Sequence, residues 1–193
     1  EVPVPYDYKV GPGDIIHVQV FGKEAGDYQL VVSRQGAISF PKLGPIYVVG
    51  LTFAELKEML NDTISTQLIG AKVNISMGQL RTIRVFVLGD AYKPGAYSVS
   101  ALSNISNVLF VSGGIREQGS LRNIQLKRAG KLIKTLDLYD FLLRGDTSAD
   151  HRVQDGDVVF IPPVGAVATV TGDVNRPAIY EIKQEKTSLD LVQ

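Results

Sequence analysis

The sequence predicts an α+β protein made of short strands and one main helix. Three observations carry that prediction. Brief β-branched and apolar runs recur along the chain, bounded by glycine and proline turns. Only one stretch, residues 53–67, keeps helical spacing over several turns. One phrase is written twice, VLGDAYKPGAYSV at 87–99 and VTGDVNRPAIYEI at 170–182, so that Gly89 and Gly172 stand 83 positions apart (172 − 89). Asp90 and Asp173, Pro94 and Pro177, and Tyr97 and Tyr180 keep the same offset.

In chain order, Gly11, Pro12 and Gly13 mark a tight turn before the strand around Ile15, Ile16, Val18 and Val20. YQLVVSRQGAISFPKLG reads as two strands joined by a turn at Gln35-Gly36. Thr52 with Glu55 three residues on is a capping box, and Phe53, Leu56, Leu60, Ile64 and Leu68 recur at helical spacing behind it. AKVNISMG is a strand with Val73 and Ile75 on one face. TIRVFVLGD opens the first copy of the phrase, and Gly89-Asp90 with Pro94-Gly95 bracket a turn into AYSVS. Ser103 is the expected N-cap of a short helix from Ile105 to Val111, closed by Gly113 in the left-handed position. A strand, a turn at Ala129-Gly130 and a second strand follow, then a short helix capped by Asp137 and ended by Gly145. VQDGDVVFIPP is a turn and a strand. In the second copy, Thr187 and Asp190 have the spacing of a capped helix, with Leu189, Leu191 and Val192 starting its apolar face. The chain is therefore read as one full repeat unit and the front of another.

The totals narrow the chemistry. Of 193 residues, 45% are hydrophobic and 21% charged, close to a folded soluble average. Twenty Lys and Arg balance twenty Asp and Glu, so no basic excess argues for a nucleic-acid partner. With no cysteine, disulfides, thiolate nucleophiles and Cys-based zinc sites are excluded together. The opening EVPVPYDY has neither an initiator Met nor a signal segment, so the true start is expected to lie upstream. No apolar run approaches the roughly 18 residues that cross a bilayer as a helix.

Candidate catalytic chemistry is thin. The two histidines are His17, inside a strand pattern and expected to be solvent-facing or satisfied in place, and His151. No Ser-His-Asp set follows from spacing, and no cofactor-binding or metal-ligating set is assigned. The acidic stretch RGDTSADHRVQDGD lacks the alternate spacing of a calcium loop, and Arg144 and Arg152 lie among its acids, so a solvated loop is expected. GPGD at 11–14 and SGG at 112–114 lack phosphate-loop spacing and read as turns. VGPGDIIHVQV and VQDGDVVFIP share a Gly-Asp turn feeding a strand; coincidence and two related turn motifs both remain open. Tyr97 and Tyr180 are expected to anchor a module core with the hydroxyl at its edge. Tyr92, at a loop tip where the second copy has Asn175, is the surface candidate for a glycan contact.

Taken as an ordered set, Tyr8 to Asp14, Gly36 to Gly44, and Gly50 to Thr52 resemble the export domain of bacterial outer-membrane polysaccharide export proteins. The repeated phrase, followed by a capped helix and two glycines, resembles the soluble-ligand-binding β-grasp (SLBB) module that follows that domain in the family. The second copy departs in having Ala178 where the first has Gly95.

The resemblance implies an export domain over 1–81, a mixed sheet with one main helix whose residues 1–7 form an extended arm pairing elsewhere. A first β-grasp module over 82–163 and a truncated second over 164–193 follow. It implies a non-enzymatic homo-oligomeric ring in the periplasm, attached to the outer membrane, through which capsular or secreted polysaccharide passes. An inner-membrane polysaccharide co-polymerase is the implied partner. Gly11, Gly13, Asp14, Gly89, Pro94, Gly95, Tyr97, Gly172, Pro177 and Tyr180 are expected to be structural. The alternative is a soluble receptor module binding a glycan or small ligand, and a polysaccharide-cleaving enzyme would need paired carboxylates in a cleft.

Overall fold

Alternation of apolar residues along β1 (Ile15–Phe21) dictates a strand with one buried face, and Ile16, Val18 and Val20 are all buried. The computed structural model describes residues 3–22, 25–41, 43–68 and 70–183. The chain divides into two compact units, Glu1–Thr82 and Ile83–Gln193.

In the first unit, β1 is the centre of an antiparallel sheet between β2 (Gly26–Val31) and β5 (Lys72–Met77). A separate hairpin joins β3 (Ala37–Phe40) to β4 (Gly44–Tyr47). Helix α1 (Phe53–Gln67) buries Phe53, Leu56, Leu60 and Ile64, the residues its spacing singled out, and packs along β5. Each such side chain contributes about 1.5–3 kcal/mol of transfer free energy. The capping box is formed: Glu55 N–H donates to the Thr52 hydroxyl at 3.3 Å, and Thr52 N–H donates to the Glu55 carboxylate at 2.8 Å. Thr52→Ala is expected to lower the unfolding free energy by about 1 kcal/mol, measured by urea unfolding; an unchanged midpoint would show the cap to be dispensable.

Of residues 1–7, expected as an arm pairing elsewhere, Tyr6 contacts the start of α1 in the same unit. Ala54 N–H donates to the Tyr6 carbonyl at 3.1 Å, and the Tyr6 ring stacks on Phe53 at 6.1 Å.

The second unit holds a five-stranded sheet in the order β7-β6-β10-β8-β9. Its strands are β6 (Thr82–Gly89), β7 (Gly95–Ser100), β8 (Ile124–Arg128), β9 (Lys131–Leu136) and β10 (Val158–Ile161). Strand β10 inserts between β6 and β8, parallel to the first and antiparallel to the second. The helices are α2 (Ile105–Val111) and α3 (Leu138–Arg144); α2 buries Ile105, Val108 and Leu109. A two-stranded antiparallel sheet, β11 (Val167–Val170) with β12 (Ala178–Glu181), carries the second copy of the phrase. The capped helix expected at Thr187 and Asp190 lies outside the described residues.

Two expectations are corrected. The N-cap of α2 is Asn104, not Ser103. Ser103 is committed to the preceding turn, donating its N–H to Ser100 and accepting from Val153 N–H, while Asn104 N–H donates to Asn107 Oδ1 at 2.9 Å. The acidic stretch is a solvated loop only in part: Asp146, His151 and Asp155 are exposed, while Asp150 and Asp157 are drawn into the fold. Asp150 accepts the Ser106 N–H and hydroxyl at the start of α2, at 2.9 and 2.6 Å. Asp155 accepts Arg84 N–H at 2.8 Å, and Asp157 is fully buried. These acids satisfy donors that would otherwise be orphaned.

Candidate functional site

The two Gly-Asp turns share one bonding pattern. Each places a fully buried carboxylate back against the N–H three residues upstream, Gly11 to Asp14 at 2.9 Å and Gln154 to Asp157 at 2.7 Å. Each carboxylate then takes an arginine, Arg81 on Asp14 at 2.7 Å and Arg128 on Asp157 through two bonds of 2.7 and 2.8 Å. The pairing with Asp157 raises the Arg128 pKa above its ordinary value against the opposing cost of burial. Around Asp14, the Tyr8 hydroxyl sits 2.8 and 2.9 Å from the two oxygens, and Arg81 N–H donates at 2.8 Å. A Cβ on Gly11 would lie 2.8 Å from the Arg81 guanidinium carbon, so this glycine makes room for the arginine. Gly13 N–H donates to the Val32 carbonyl at 2.9 Å. The open question about the sequence echo is thus answered: the two turns are built alike.

The repeated phrase also folds alike in its two copies. The Tyr97 hydroxyl donates to the Lys93 carbonyl at 2.6 Å, and the Tyr180 hydroxyl donates to the Arg176 carbonyl at 2.8 Å. Both rings are half-buried, so these tyrosines brace their own loops, four residues back, instead of anchoring a core. Pro94 and Pro177 lie inside the braced loops, and Gly95 and Ala178 begin the outgoing strands β7 and β12. Gly89 and Gly172 end the incoming side with φ of 83° and 103°.

Tyr92 is 59% exposed at the first loop. Its N–H donates to the Gly114 carbonyl at 2.9 Å, and its ring edge leaves only 3.2 Å for a Cβ on Gly113. The loop is therefore tied to the end of α2, with the ring outward. His17 pairs with Asp27 on the neighbouring strand β2.

The residue that sequence reasoning missed is Glu181. It is buried and joins the second copy to the first within the second unit. Its carboxylate accepts from the Ser120 hydroxyl (2.7 Å) and from the N–H groups of Leu121 (2.8 Å), Gly165 (3.1 Å) and Arg122 (3.2 Å). Nearby, Lys183 reaches Asp137 at 3.2 Å, and the Tyr139 and Tyr180 rings meet at 6.1 Å. The available signal was a mismatch: the first copy has Ser98 where the second has Glu181.

Burial pushes the Glu181 carboxyl up, but the Ser120 hydroxyl and the three backbone N–H groups outweigh it and hold the pKa below the usual glutamate value. A depressed folded pKa stabilises above the unfolded value of about 4.3, and that stability is lost as pH falls through the folded value. Acidification below about pH 4 is therefore expected to loosen β11–β12, read as faster amide exchange at Val167–Val170 after correction for intrinsic rates. Glu181→Gln should remove that pH dependence, and a wild-type profile in the variant would assign it elsewhere.

Between α3 and β12 lies an apolar cavity of about 240 Å³, bounded by Leu138, Tyr139, Leu142, Ala178, Ile179 and Tyr180 among others. Among the described residues, no group of three or more His, Cys, Asp or Glu could hold a metal ion, and no helix is long and apolar enough to cross a membrane. Asp155 and Asp157, the acids nearest to a hydrolytic pair, hold Arg84 N–H and Arg128.

Residues 2–78 match the family described as polysaccharide biosynthesis/export protein, and residues 84–136 and 167–192 match the SLBB domain. Over 181 residues the chain is 30% identical to the polysialic acid transport protein KpsD of Escherichia coli, covering 92% of this chain and 32% of that protein. It is 27% identical over 197 residues to the EPS I polysaccharide export outer membrane protein EpsA of Ralstonia nicotianae, covering 89% of this chain and 51% of that protein. The EpsA of Ralstonia solanacearum is 28% identical over 162 residues, or 82% of this chain and 43% of that protein. The chain therefore spans about a third of the length of KpsD and about half that of EpsA. An export-domain match ahead of SLBB matches, on a chain whose two Gly-Asp turns and two tyrosine-braced loops are each built alike, places this protein in the bacterial polysaccharide export protein family.

Proposed function

We propose that this chain is part of the wall of a bacterial outer-membrane apparatus that exports capsular or secreted polysaccharide. The observation that carries the proposal is the tandem match, export domain then SLBB, on a chain that aligns with KpsD over 92% of its length. In this reading copies of the protein close into a ring on the periplasmic side of the outer membrane by a heterologous interface. The polymer passes through that ring, and an inner-membrane co-polymerase delivers it.

The chain works without catalysing a reaction. Its buried carboxylates Asp14, Asp157 and Glu181 hold arginines, hydroxyls and backbone N–H groups, which is the chemistry of bracing. Equal numbers of acidic and basic residues suit a conduit for a hydrated polymer, because few strong ionic contacts slow its passage. Tyr92 is the proposed glycan contact, its exposed ring offering a face to pyranose C–H groups. Tyr92→Ala is expected to lower export without changing thermal stability by more than about 0.5 kcal/mol; full export by this variant would remove the assignment.

Deletion in the native organism tests the whole reading. Loss of surface polysaccharide, with polymer accumulating inside the envelope, is expected. The apolar cavity between α3 and β12 favours one alternative, a receptor for an apolar or glycan ligand. Unchanged surface polysaccharide in the deletion, with saturable calorimetric binding to the protein, selects that alternative.

A further inference from the structure

The two faces of the five-stranded sheet are unlike. Val85 and Val87 on β6, Leu126 on β8, and Val159 and Ile161 on β10 point to one side and are buried. Their neighbours along each strand point to the other side, where the register sets two rows. Phe86, Val158, Lys127 and Leu132 form one row, and Leu88, Phe160, Gln125 and Thr135 form the next. Phe86, Leu88 and Leu132 are 37%, 42% and 57% exposed. A register shift between Leu126 and Lys127 skips Ile133, and this bulge leaves Ile133 exposed beside Leu132 as well. Contiguous exposed apolar surface of this kind marks an interaction face.

Charge on this sheet is one-sided. The whole chain balances twenty cations against twenty acids, yet the five strands hold Arg84, Lys127, Arg128, Lys131 and Lys134 and no Asp or Glu. Arg128 is committed to the buried Asp157, and Lys134 lies within electrostatic reach of Asp146. Arg84 and Lys127 belong to the open face by alternation with their buried neighbours. Among the described residues no carboxylate pairs with either side chain. Asp155, at the rim, accepts the Arg84 backbone N–H at 2.8 Å. Lys127 Nζ sits 4.4 Å from the centre of the Phe160 ring. That contact holds an ammonium in place without neutralising it.

We propose that the open face of this sheet is a binding platform for a carboxylate-bearing glycan chain. The Lys127 ammonium receives a sugar carboxylate, with Arg84 adding to the attraction. The Phe86 ring lies two strands away, about 10 Å, and takes the C–H side of another sugar in the same chain. Gln125 can both donate to and accept from sugar hydroxyls. This spread of contacts fits an oligosaccharide better than a single sugar. An acidic peptide is the poorer fit, because β6, β10 and β8 already pair with their neighbours and offer it no backbone edge. Tyr92, tied to the end of α2, is a separate contact. Exposed charge pairs are individually weak, so such a face guides a moving polymer without holding it. The inference rests on the export reading, whose polymer it assigns to the acidic class.

Saturation-transfer difference NMR with the full chain and oligogalacturonate tests it, with maltooligosaccharide of equal length as the neutral control. The acidic probe is expected to bind, more weakly as salt rises, and the neutral one to bind far less. Lys127→Gln should weaken binding of the acidic probe about two- to fivefold, and Arg84→Gln should act in the same direction. Lys72→Gln, at an exposed position of β5, should leave binding unchanged. No binding of oligogalacturonate, equal binding of the neutral probe, or undiminished binding by both Lys127→Gln and Arg84→Gln would overturn the proposal. Tighter binding of polyglutamate would overturn it in favour of an acidic peptide. Lys127-dependent binding to anionic phospholipid vesicles, with none to oligogalacturonate, would overturn it in favour of a lipid surface. The export reading fails by a different result, unchanged surface polysaccharide in the deletion strain. Loss of surface polysaccharide in that strain, with no oligogalacturonate binding, would sink the platform alone.

Discussion

Asp14→Ala is expected to destabilise the first unit by about 3–5 kcal/mol, the range for removing one partner of a buried ion pair. The carboxylate is fully buried, whereas Arg81 is 28% exposed. Water can therefore reach part of the guanidinium, and the lower end of that range is expected. The loss is not confined to one pair. The Tyr8 hydroxyl, Gly11 N–H and Arg81 N–H all lose their acceptor together. Buried donors left without acceptors cost about 1–3 kcal/mol each unless water enters. Against a typical folding free energy of about 5–15 kcal/mol, such a change threatens the unit as a whole. Urea unfolding followed by tyrosine fluorescence and by amide exchange in α1 measures it. Asp14→Asn, which keeps the shape and loses the charge, should fall between wild type and alanine. A midpoint shift equivalent to under 1 kcal/mol for Asp14→Ala would mean that the network braces nothing.

Gly89→Ala should be the most damaging single change in the second unit, costing about 3 kcal/mol or more. Two penalties add. The backbone sits at φ 83°, which an L side chain adopts only with strain. The new methyl would also overlap the Ile161 carbonyl oxygen at 2.0 Å, and that oxygen belongs to a central strand that cannot swing aside. Relief requires β10 to separate from β6, which opens the middle of a five-stranded sheet. The expected signature is loss of amide protection on both β6 and β10, with the β8–β9 hairpin affected less. If β6 and β10 keep their protection in the folded variant, the backbone has relaxed and the steric argument is wrong.

The elements legible in the sequence share a physical cause. Helix α1, its capping box, its four buried residues and the glycine that ends α3 all follow from contacts between residues three or four positions apart. The duplicated phrase predicted that two loops would be built alike, and the bonds from Tyr97 to Lys93 and from Tyr180 to Arg176 also span four positions. Where reading by position failed, it failed by overlooking remote partners. The expectation of Ser103 as the cap of α2 misses Asn104 because the bond that commits Ser103 elsewhere, from Val153, arrives from a distant loop. The acids at 150–157 looked solvated because the donors they satisfy, Ser106, Arg84 and Arg128, are far away in sequence.

The sequence by itself determined most of the strands and helices, though neither β4 nor the true cap of α2, that one motif occurs twice, and which family pattern the order of motifs resembles. Tertiary structure alone decided who meets whom. It set Arg81 on Asp14, 67 residues away, slid β10 between β6 and β8, and used Glu181 to tie the second copy to a loop some 60 residues earlier. Local patterns record the bonds a segment makes within itself. The choice among distant partners depends on loop closure and on close packing of the assembled chain, and no short stretch of residues encodes either.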